Sequence, residues 1–112
     1  MKKQKPLLPT LKEKRRYLVY ETISAHPPSK EDITRTIQQT IQWLIGSLGI
    51  AKAGIIYLDA DHPAKGIIRV STPYTDHVRA ALCYIRNINK TEAIVRSVGL
   101  SGTLTKARHK FV

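Results

Sequence analysis

The feature that most constrains the fold is one long helix signal between Ser29 and Gly49. Aliphatic residues recur there at helical spacing and form a single apolar stripe, which consists of Ile33, Ile37, Ile41, Leu44, Ile45 and Leu48. Ser29 and Asp32 fit a capping box, in which the hydroxyl and the carboxylate satisfy free N–H groups. Gly49 is the predicted C-terminal cap. An apolar stripe of this length predicts a helix packed against a second layer.

Runs rich in β-branched and aromatic residues surround this helix and predict four strands, at 15–24, 53–58, 66–71 and 93–98. The short connection at 59–65 predicts a hairpin. Thr72-Pro73 predicts the start of a second helix, which Val78, Leu82 and Ile85 continue. The order strand, helix, strand, strand, helix, strand is that of a ferredoxin-like (RRM-like) α+β sandwich. We expect a four-stranded antiparallel sheet with both helices on one face.

The length of 112 residues predicts one domain, and the charge is concentrated at its two ends. The net charge of +11 divides into +6 over residues 1–16, +2 over 17–99 and +3 over 100–112. We therefore predict a basic arm at 1–14, a ferredoxin-like domain at 15–103 and a basic tail at 104–112 that can form a short helix. The single cysteine excludes a disulfide framework. Without a secretory signal or a long apolar run, we expect no membrane association and a cytoplasmic protein.

Two basic ends on a near-neutral body suit a partner with regularly spaced negative charge, above all nucleic acid. The glycine-containing turn at 99–103 offers backbone N–H groups to a phosphate, and Lys106, Arg108 and Lys110 follow it directly. The alternative is that the charged ends only keep the protein soluble.

The face of the sheet away from the helices is predicted to carry aliphatic residues among a few basic ones. Strand alternation assigns Ile55, Tyr57 and Ile67 to this face, with Arg69 and Arg96. RRM domains stack bases on aromatic residues of their central strands, but the third strand here has none. Tyr17 or Tyr20 on the first strand would have to serve instead. We therefore expect this face to be covered by the chain's own termini or by another protein.

Trp43 lies about 130° from the centre of the apolar stripe, beside uncharged polar residues such as Gln39. Interfaces favour tryptophan and exclude dense charge, so Trp43 and Gln39 are candidates for a protein interface. Alternatively, Trp43 lies under the N-terminal arm and packs on Leu8 or Leu11.

Catalytic patterns are weak. Three neighbouring residues could be metal ligands: Asp59, Asp61 and His62. Hairpin turns are also often rich in Asp and Pro, because these residues favour the turn backbone, and we therefore favour a turn. We expect no catalytic residue and no bound metal or cofactor. A small-molecule regulatory domain remains an alternative, because the ferredoxin-like fold hosts such domains too, although it predicts no salt-dependent RNA binding.

Three blocks of sequence carry a resemblance to a known family. They are Pro9–Glu21, then Gly46–Ala53 with Gly66–Ser71 and Val78–Leu82, and finally Val98–Leu104 with the basic end through Phe111. In this order they resemble the family of the archaeal ribonuclease P protein component 2, which is related to a eukaryotic RNase P and RNase MRP subunit. Thr72-Pro73 departs from the basic or polar start expected for the second helix.

The resemblance implies a non-catalytic subunit of ribonuclease P, whose RNA removes the 5′ leader of precursor tRNA with Mg²⁺. It implies RNase P RNA and the TIM-barrel-like protein component 3 as partners, contact with precursor tRNA only indirectly, and self-association. A stand-alone RRM-like module that binds single-stranded RNA is the alternative. Our hypothesis assigns RNA contacts to the basic ends and to the 101–103 turn. It adds Arg69 and Arg96 if the sheet is not fully covered. The complete set is Lys12, Lys14, Arg15, Arg16, Arg69, Arg96, Ser101, Gly102, Thr103, Lys106, Arg108 and Lys110.

Overall fold

The computed structural model describes residues 14–112, so the predicted arm before Lys14, including Lys12, lies outside the described residues. The elements in chain order are β1 (Arg15–Ile23), α1 (Lys30–Ala53), β2 (Ile56–His62), β3 (Lys65–Ser71), α2 (Thr75–Cys83), β4 (Asn87–Ile88), β5 (Thr91–Glu92), β6 (Ile94–Ser101) and α3 (Leu104–Phe111). None of the helices described over this range is long and apolar enough to cross a membrane.

The four long strands form one antiparallel sheet in the order β2-β3-β1-β6. Because β3 separates β1 from β2, the helix α1 connects two strands that are not neighbours, which is the split βαβ arrangement. The ferredoxin-like fold predicted from the order of the elements is confirmed. The short strands β4 and β5 form a separate hairpin where the second helix was predicted simply to end.

Helices α1 and α2 pack on one face of the sheet, as predicted. Leu18 of β1 and Ile68 of β3 are fully buried there against Ile37 of α1 and Val78 of α2. Burying each such aliphatic side chain stabilises the fold by about 1.5–3 kcal/mol relative to exposure. This layer is the main core.

The start of α1 agrees with the prediction for Ser29, but the Asp32 carboxylate accepts hydrogen bonds from the Arg35 and Asn89 side chains, and the helix does not end where predicted. The Ser29 side chain accepts a hydrogen bond of 3.2 Å from the Asp32 backbone N–H. The helix continues past the predicted cap at Gly49, which is buried within it, and ends at Gly54. Gly54 has φ 57° and its N–H bonds to Ile50 O at 3.3 Å, the left-handed closure that glycine adopts most readily.

A break within α1 changes which residues of the predicted apolar stripe are buried. Gly46 has φ 70° and ψ 176°, a conformation that is not helical and that costs a side-chain-bearing residue strain. The residues after Gly46 are therefore rotated relative to those before it. Leu48, predicted to belong to the buried stripe, is 70% exposed, whereas Ile33, Ile37 and Ile41 before the break are buried.

The predicted outward orientation of Ile55 and Tyr57 is wrong. Tyr57 pairs with Ile68 and Leu58 pairs with Ile67, and cross-strand partners point to the same face of a sheet. Tyr57 and Ile55 therefore pack against the helix-side core, and Leu58 lies on the opposite face. Alternation within a strand shows which residues share a face, but the pairing register decides which face it is.

Part of the opposite face of the sheet is covered by α3, so the chain's own C-terminal segment supplies some of the predicted cover. Ile23, Ile56 and Ile94 on the same face stay exposed. Val19, Ile67 and Ala107 are buried there, with Leu104 and Phe111 packed around them. Gly99 makes this approach possible, because a Cβ at that position would lie 2.2 Å from the Phe111 ring. The residues predicted as a basic tail thus form a third helix on the face opposite α1 and α2.

Candidate nucleic-acid interface

The start of β1 and the start of α3 meet at one end of the sheet. Tyr17 pairs with Ser101, which places the preceding Arg16 beside the 101–103 turn. A Cβ on Gly102 would lie 3.0 Å from Arg16 Nη1, so this guanidinium sits directly over the turn. We call Lys14, Arg16, Gly102, Thr103 and Lys106 the basic end.

The turn at the basic end is shaped by its own hydroxyl groups. Ser101 Oγ donates to Thr103 O at 3.0 Å and accepts from Thr103 N at 3.3 Å. Thr103 Oγ1 accepts from Lys106 N at 3.2 Å and caps α3. The remaining N–H groups of the first helical turn carry partial positive charge, which adds to that of the nearby cations and favours an anion.

Lys14, Arg16 and Lys106 are exposed, and none of them forms an ion pair within the described part of the chain. Arg15 differs from them because it is half-buried and has an interaction partner. Free, exposed cations can contact phosphate without first losing a carboxylate partner, so these three are suited to an RNA backbone.

The far end of α3 contacts the sheet through Arg108 and through the backbone of Phe111. Arg108 Nη1 lies 3.3 Å from Asp61 Oδ2, and its Nη2 donates to Asp59 O at 3.1 Å. Lys65 Nζ donates to Phe111 O at 3.1 Å. We call Lys65, Arg108, Phe111, Asp59 and Asp61 the docked end, because these contacts tie α3 to the β2–β3 hairpin.

Lys30 strengthens the docked end from the other side of the sheet. Its Nζ lies 2.6 Å from Asp59 Oδ1, and this hydrogen bond, together with one from the Asp61 N–H, lowers the pKa of the Asp59 carboxyl. His62 Nδ1 accepts from Ala64 N at 3.0 Å. These contacts fit the turn favoured from sequence, and residues 14–112 contain no cluster of three potential metal ligands.

The other predicted RNA-contacting residues are placed in different ways. Arg96 Nε donates to Glu21 Oε1 at 2.9 Å across β6 and β1. Arg69 lies between Tyr17 and Ile56 on the α3 side of the sheet, and its buried Nε has no hydrogen-bond partner among the described residues. Lys110 is exposed, with Nζ 5.5 Å from the centre of the Phe111 ring. Arg96 and Lys110 therefore lie apart from the basic end, whereas Arg69 lies in the same row of the sheet as Tyr17 and Ser101.

The predicted protein-interface residues divide into exposed and covered groups. Trp43 is 69% exposed and Gln39 is exposed on α1. Ile67 is fully buried beneath α3, so the chain's own terminus, one of the two predicted covers, lies over it. Ile55 and Tyr57 are half-buried in the helix-side core. Burial raises the pKa of Tyr57 to about 12.

Sequence reasoning missed the partner of Trp43. The Tyr84 ring, just after α2, meets the Trp43 ring edge to face with centroids 5.2 Å apart, and Tyr84 is 58% exposed. Tyr84 falls outside the apolar spacing of Val78, Leu82 and Ile85, and that position on the helix would have indicated exposure.

The tyrosines considered for base stacking are not free to stack. Tyr20 is 7% exposed in the helix-side core, and Tyr17 is half-buried against the α3 cluster. With α3 packed on the surface that an RRM uses for single strands, this mode lacks its aromatic platform.

Comparison with known proteins gives the family. The model of the Rpp14/Pop5 family matches residues 16–112. A protein of Thermococcus gammatolerans named "Ribonuclease P protein component 2" is 35% identical, over 98% of this chain and 92% of that protein. A protein of the same name from Methanosarcina mazei is 35% identical, over 96% of this chain and 92% of its own.

A solved structure supports the fold independently. A chain in "Cryo-EM structure of yeast Ribonuclease MRP" superposes with a TM-score of 0.64 at 13% identity, covering 87% of this chain and 85% of that one. At this identity the likeness concerns the fold alone. The family match and the near-full-length relatives lead to one conclusion: the chain belongs to the Rpp14/Pop5 family.

Proposed function

We propose that this chain is a protein subunit of ribonuclease P and supports the catalytic RNA in removing the 5′ leader from precursor tRNA. The names of its near-full-length relatives support this role. The structural observation that carries it is the basic end, where exposed cations that form no ion pair within residues 14–112 lie near the start of a capped helix. The chain acts in catalysis only as part of the complex, and its own contribution is to bind and position RNA.

The physical effect of the basic end is to neutralise phosphates that the folded RNA brings close together. Each Lys or Arg at a phosphate releases condensed counterions and reduces repulsion between strands. The RNA then needs less Mg²⁺ to hold its active form. In this proposal Mg²⁺ belongs to the RNA and none is bound by the chain itself.

The basic residues rank by how free they are to contact phosphate. Lys14, Arg16 and Lys106 come first because they are exposed and form no ion pair with the rest of the described chain. Arg96 and Arg108 come last because each would have to leave a carboxylate.

The proposal also includes the partners implied by the family resemblance. We propose that the chain contacts RNase P RNA directly and precursor tRNA only indirectly. Its protein partners are then the TIM-barrel-like component 3 and a second copy of itself. The exposed aromatic pair on α1 and α2 supports contact with protein, because interfaces favour large aromatic residues.

The test is cleavage of precursor tRNA at low Mg²⁺ by three mixtures. They contain RNase P RNA alone, the RNA with component 3, and the RNA with component 3 and this chain. Cleavage restored only in the third mixture is the expected result. Tight RNA binding by this chain with no gain in cleavage would instead support the stand-alone module, and neither binding nor gain would contradict the RNA role.

A further inference from the structure

A cleft opens on the helix side of the sheet, between the first half of α1 and the edge strand β2. Its volume is 490 Å³, within the range of about 300–1,000 Å³ that is usual for small-ligand sites. Tyr20 lines the cleft from β1, and its cross-strand neighbour Gly66 leaves the room that its ring needs, because a Cβ there would lie 2.2 Å from the Tyr20 hydroxyl. The cleft is therefore on the side of the sheet away from α3.

A second cavity, of 310 Å³, adjoins the first and shares Ile33, Pro63 and Ala64 with it. Thr22 lines this second cavity and is only 8% exposed, and its Oγ1 has no hydrogen-bond partner among residues 14–112. Buried hydroxyl groups are almost always paired with protein, with water or with a bound molecule. An unpaired hydroxyl in the wall of a cavity therefore indicates a place for a polar molecule.

The larger cavity offers polar groups beside an aromatic ring. The Tyr57 hydroxyl and the Gln38 amide line it, and neither forms a hydrogen bond with another residue of the described chain. Burial raises the pKa of Tyr57 to about 12, so its phenol keeps the proton and can donate. The Tyr20 phenol differs, because it already has a hydrogen bond with the Thr34 side chain.

The charges around the cleft do not suit a phosphate. Lys30, Arg35 and Lys65 belong to the lining, but each is already bonded to another group of the protein. Glu31 and Asp59 add negative charge beside them. An apolar side chain from a partner would suit the cleft no better, because it would leave the hydroxyl and amide groups of the lining unpaired. The cleft therefore fits a neutral group with flat faces and a polar edge.

We propose that the two cavities bind one nucleoside unit, with the base against Tyr57 and Gln38 and the ribose towards Thr22. A base has flat apolar faces and hydrogen-bonding edges, and the ribose supplies hydroxyl groups. This inference rests on the proposed function, because an unpaired nucleotide of the RNA is the expected source of the base.

The cleft and the basic end are separate contacts. Arg16 of the basic end and Tyr20 of the cleft are four residues apart on β1, about 13 Å along the strand. Contacts to phosphates make binding depend on salt, whereas contacts to a base add selectivity and depend little on salt. The two sites are therefore distinguishable by the way that salt affects variants of each.

The direct test is a titration of the full chain, labelled with ¹⁵N, with the four ribonucleoside 5′-monophosphates. Ribose 5-phosphate is the control ligand, because it has no base. We expect at least one nucleotide to shift the NMR signals of the Gln38 side-chain amide and of the Thr22 and Gly66 backbone amides. Ribose 5-phosphate should leave these three signals unchanged.

Matched variants connect the signals to the cleft. Gln38→Leu/Tyr57→Phe should weaken nucleotide binding about tenfold, because two hydrogen bonds are lost. The control Gln39→Leu/Tyr84→Phe removes the same groups outside the cleft and should bind like the wild-type chain. Thr22→Val should weaken binding about threefold without lowering the free energy of unfolding, because its hydroxyl is unpaired within the described residues. Circular dichroism checks that every variant is folded.

Binding to RNase P RNA identifies the source of the base. The Gln38→Leu/Tyr57→Phe variant should bind the RNA severalfold more weakly than its control, with the same slope of log K against log salt. Nucleotide binding in the cleft with unchanged RNA affinity would support the site and assign it to a free nucleotide.

Three outcomes overturn the proposal. The first is an equal response to ribose 5-phosphate, which would make the cleft a phosphate site. The second is no response to nucleotides together with unchanged RNA affinity. The third is no response to nucleotides together with weaker binding of component 3 to the cleft variant, which would mean that a protein occupies the cleft. Failure of the proposed function would differ from all three, because the wild-type chain would then not bind the RNA while nucleotides still shifted the cleft signals.

Discussion

At the first turn of α3, Lys106 faces solvent without an ion pair in the described chain, whereas at its last turn Arg108 binds Asp61 and the Asp59 carbonyl. The same short helix therefore carries cations of two kinds. Those at the basic end are available to a partner, and those at the docked end hold the helix on the sheet. The net charge does not show which cations are free and which are paired. That difference depends on whether the fold places a carboxylate beside each cation.

Adding one methyl group near each end of α3 is expected to produce the largest difference in stability between the two ends. Gly99→Ala places a Cβ 2.2 Å from the Phe111 ring, so the ring and the end of α3 must move. We expect a loss of about 1–3 kcal/mol in the free energy of unfolding, measured by urea denaturation. Gly102→Ala is the matched control, because its Cβ meets only the flexible end of Arg16 at 3.0 Å. Equal losses in both variants would mean that Phe111 does not anchor α3.

A second substitution pair separates stability from RNA binding. Arg108→Ala removes an exposed ion pair and should lower the free energy of unfolding by no more than about 1 kcal/mol. Lys106→Ala should leave stability unchanged and weaken binding to RNase P RNA by roughly 1 kcal/mol, about fivefold. Denaturation and filter-binding titrations on the same proteins measure the two effects. The reverse pattern would show that the roles of the two ends are exchanged.

The smallest expected effect concerns acid sensitivity at the docked end. The hydrogen bond from Lys30 lowers the folded-state pKa of Asp59 below its usual 3.8. The associated stability is therefore present above pH 3.8 and is lost as the pH falls through the folded-state value. Asp59→Asn should flatten this acid limb in unfolding curves recorded from pH 6 to pH 2. If the loss of stability at low pH were the same in Asp59→Asn, other carboxylates would be responsible for it.

The sequence predicted the helices and strands of the sheet well, because helix caps and hydrophobic periodicity depend only on residues that are close together in the sequence. Ser29 caps α1 as expected, and the strand and helix order gives the observed sheet. Three features depended on contacts between distant residues. The face of Tyr57 follows from its pairing with Ile68, and the docking of α3 follows from the close approach of Phe111 to Gly99. The exposure of Leu48 follows from the backbone break at Gly46.

The candidate site was predictable only in composition. The basic run and the glycine-containing turn indicated phosphate binding near residue 102, and the structure brings Arg16 to that turn. The sequence did not indicate that Arg96 and Arg108 are paired, because their partners Glu21 and Asp61 lie 75 and 47 residues away. Whether a cation is free depends on the tertiary structure. The set of RNA-contacting residues predicted from the sequence is therefore larger than the basic end.

The salt dependence of binding to RNase P RNA shows whether the basic end contacts phosphates. A Lys14→Ala/Arg16→Ala/Lys106→Ala variant is compared with the wild-type chain and with Arg35→Ala/Arg79→Ala/Arg86→Ala, which removes the same charge from the helical layer. If the basic end contacts three phosphates, the slope of log K against log salt falls by about 2–3 in the first variant and little in the second. Equal changes in both variants, or an unchanged slope in the first, would contradict the account.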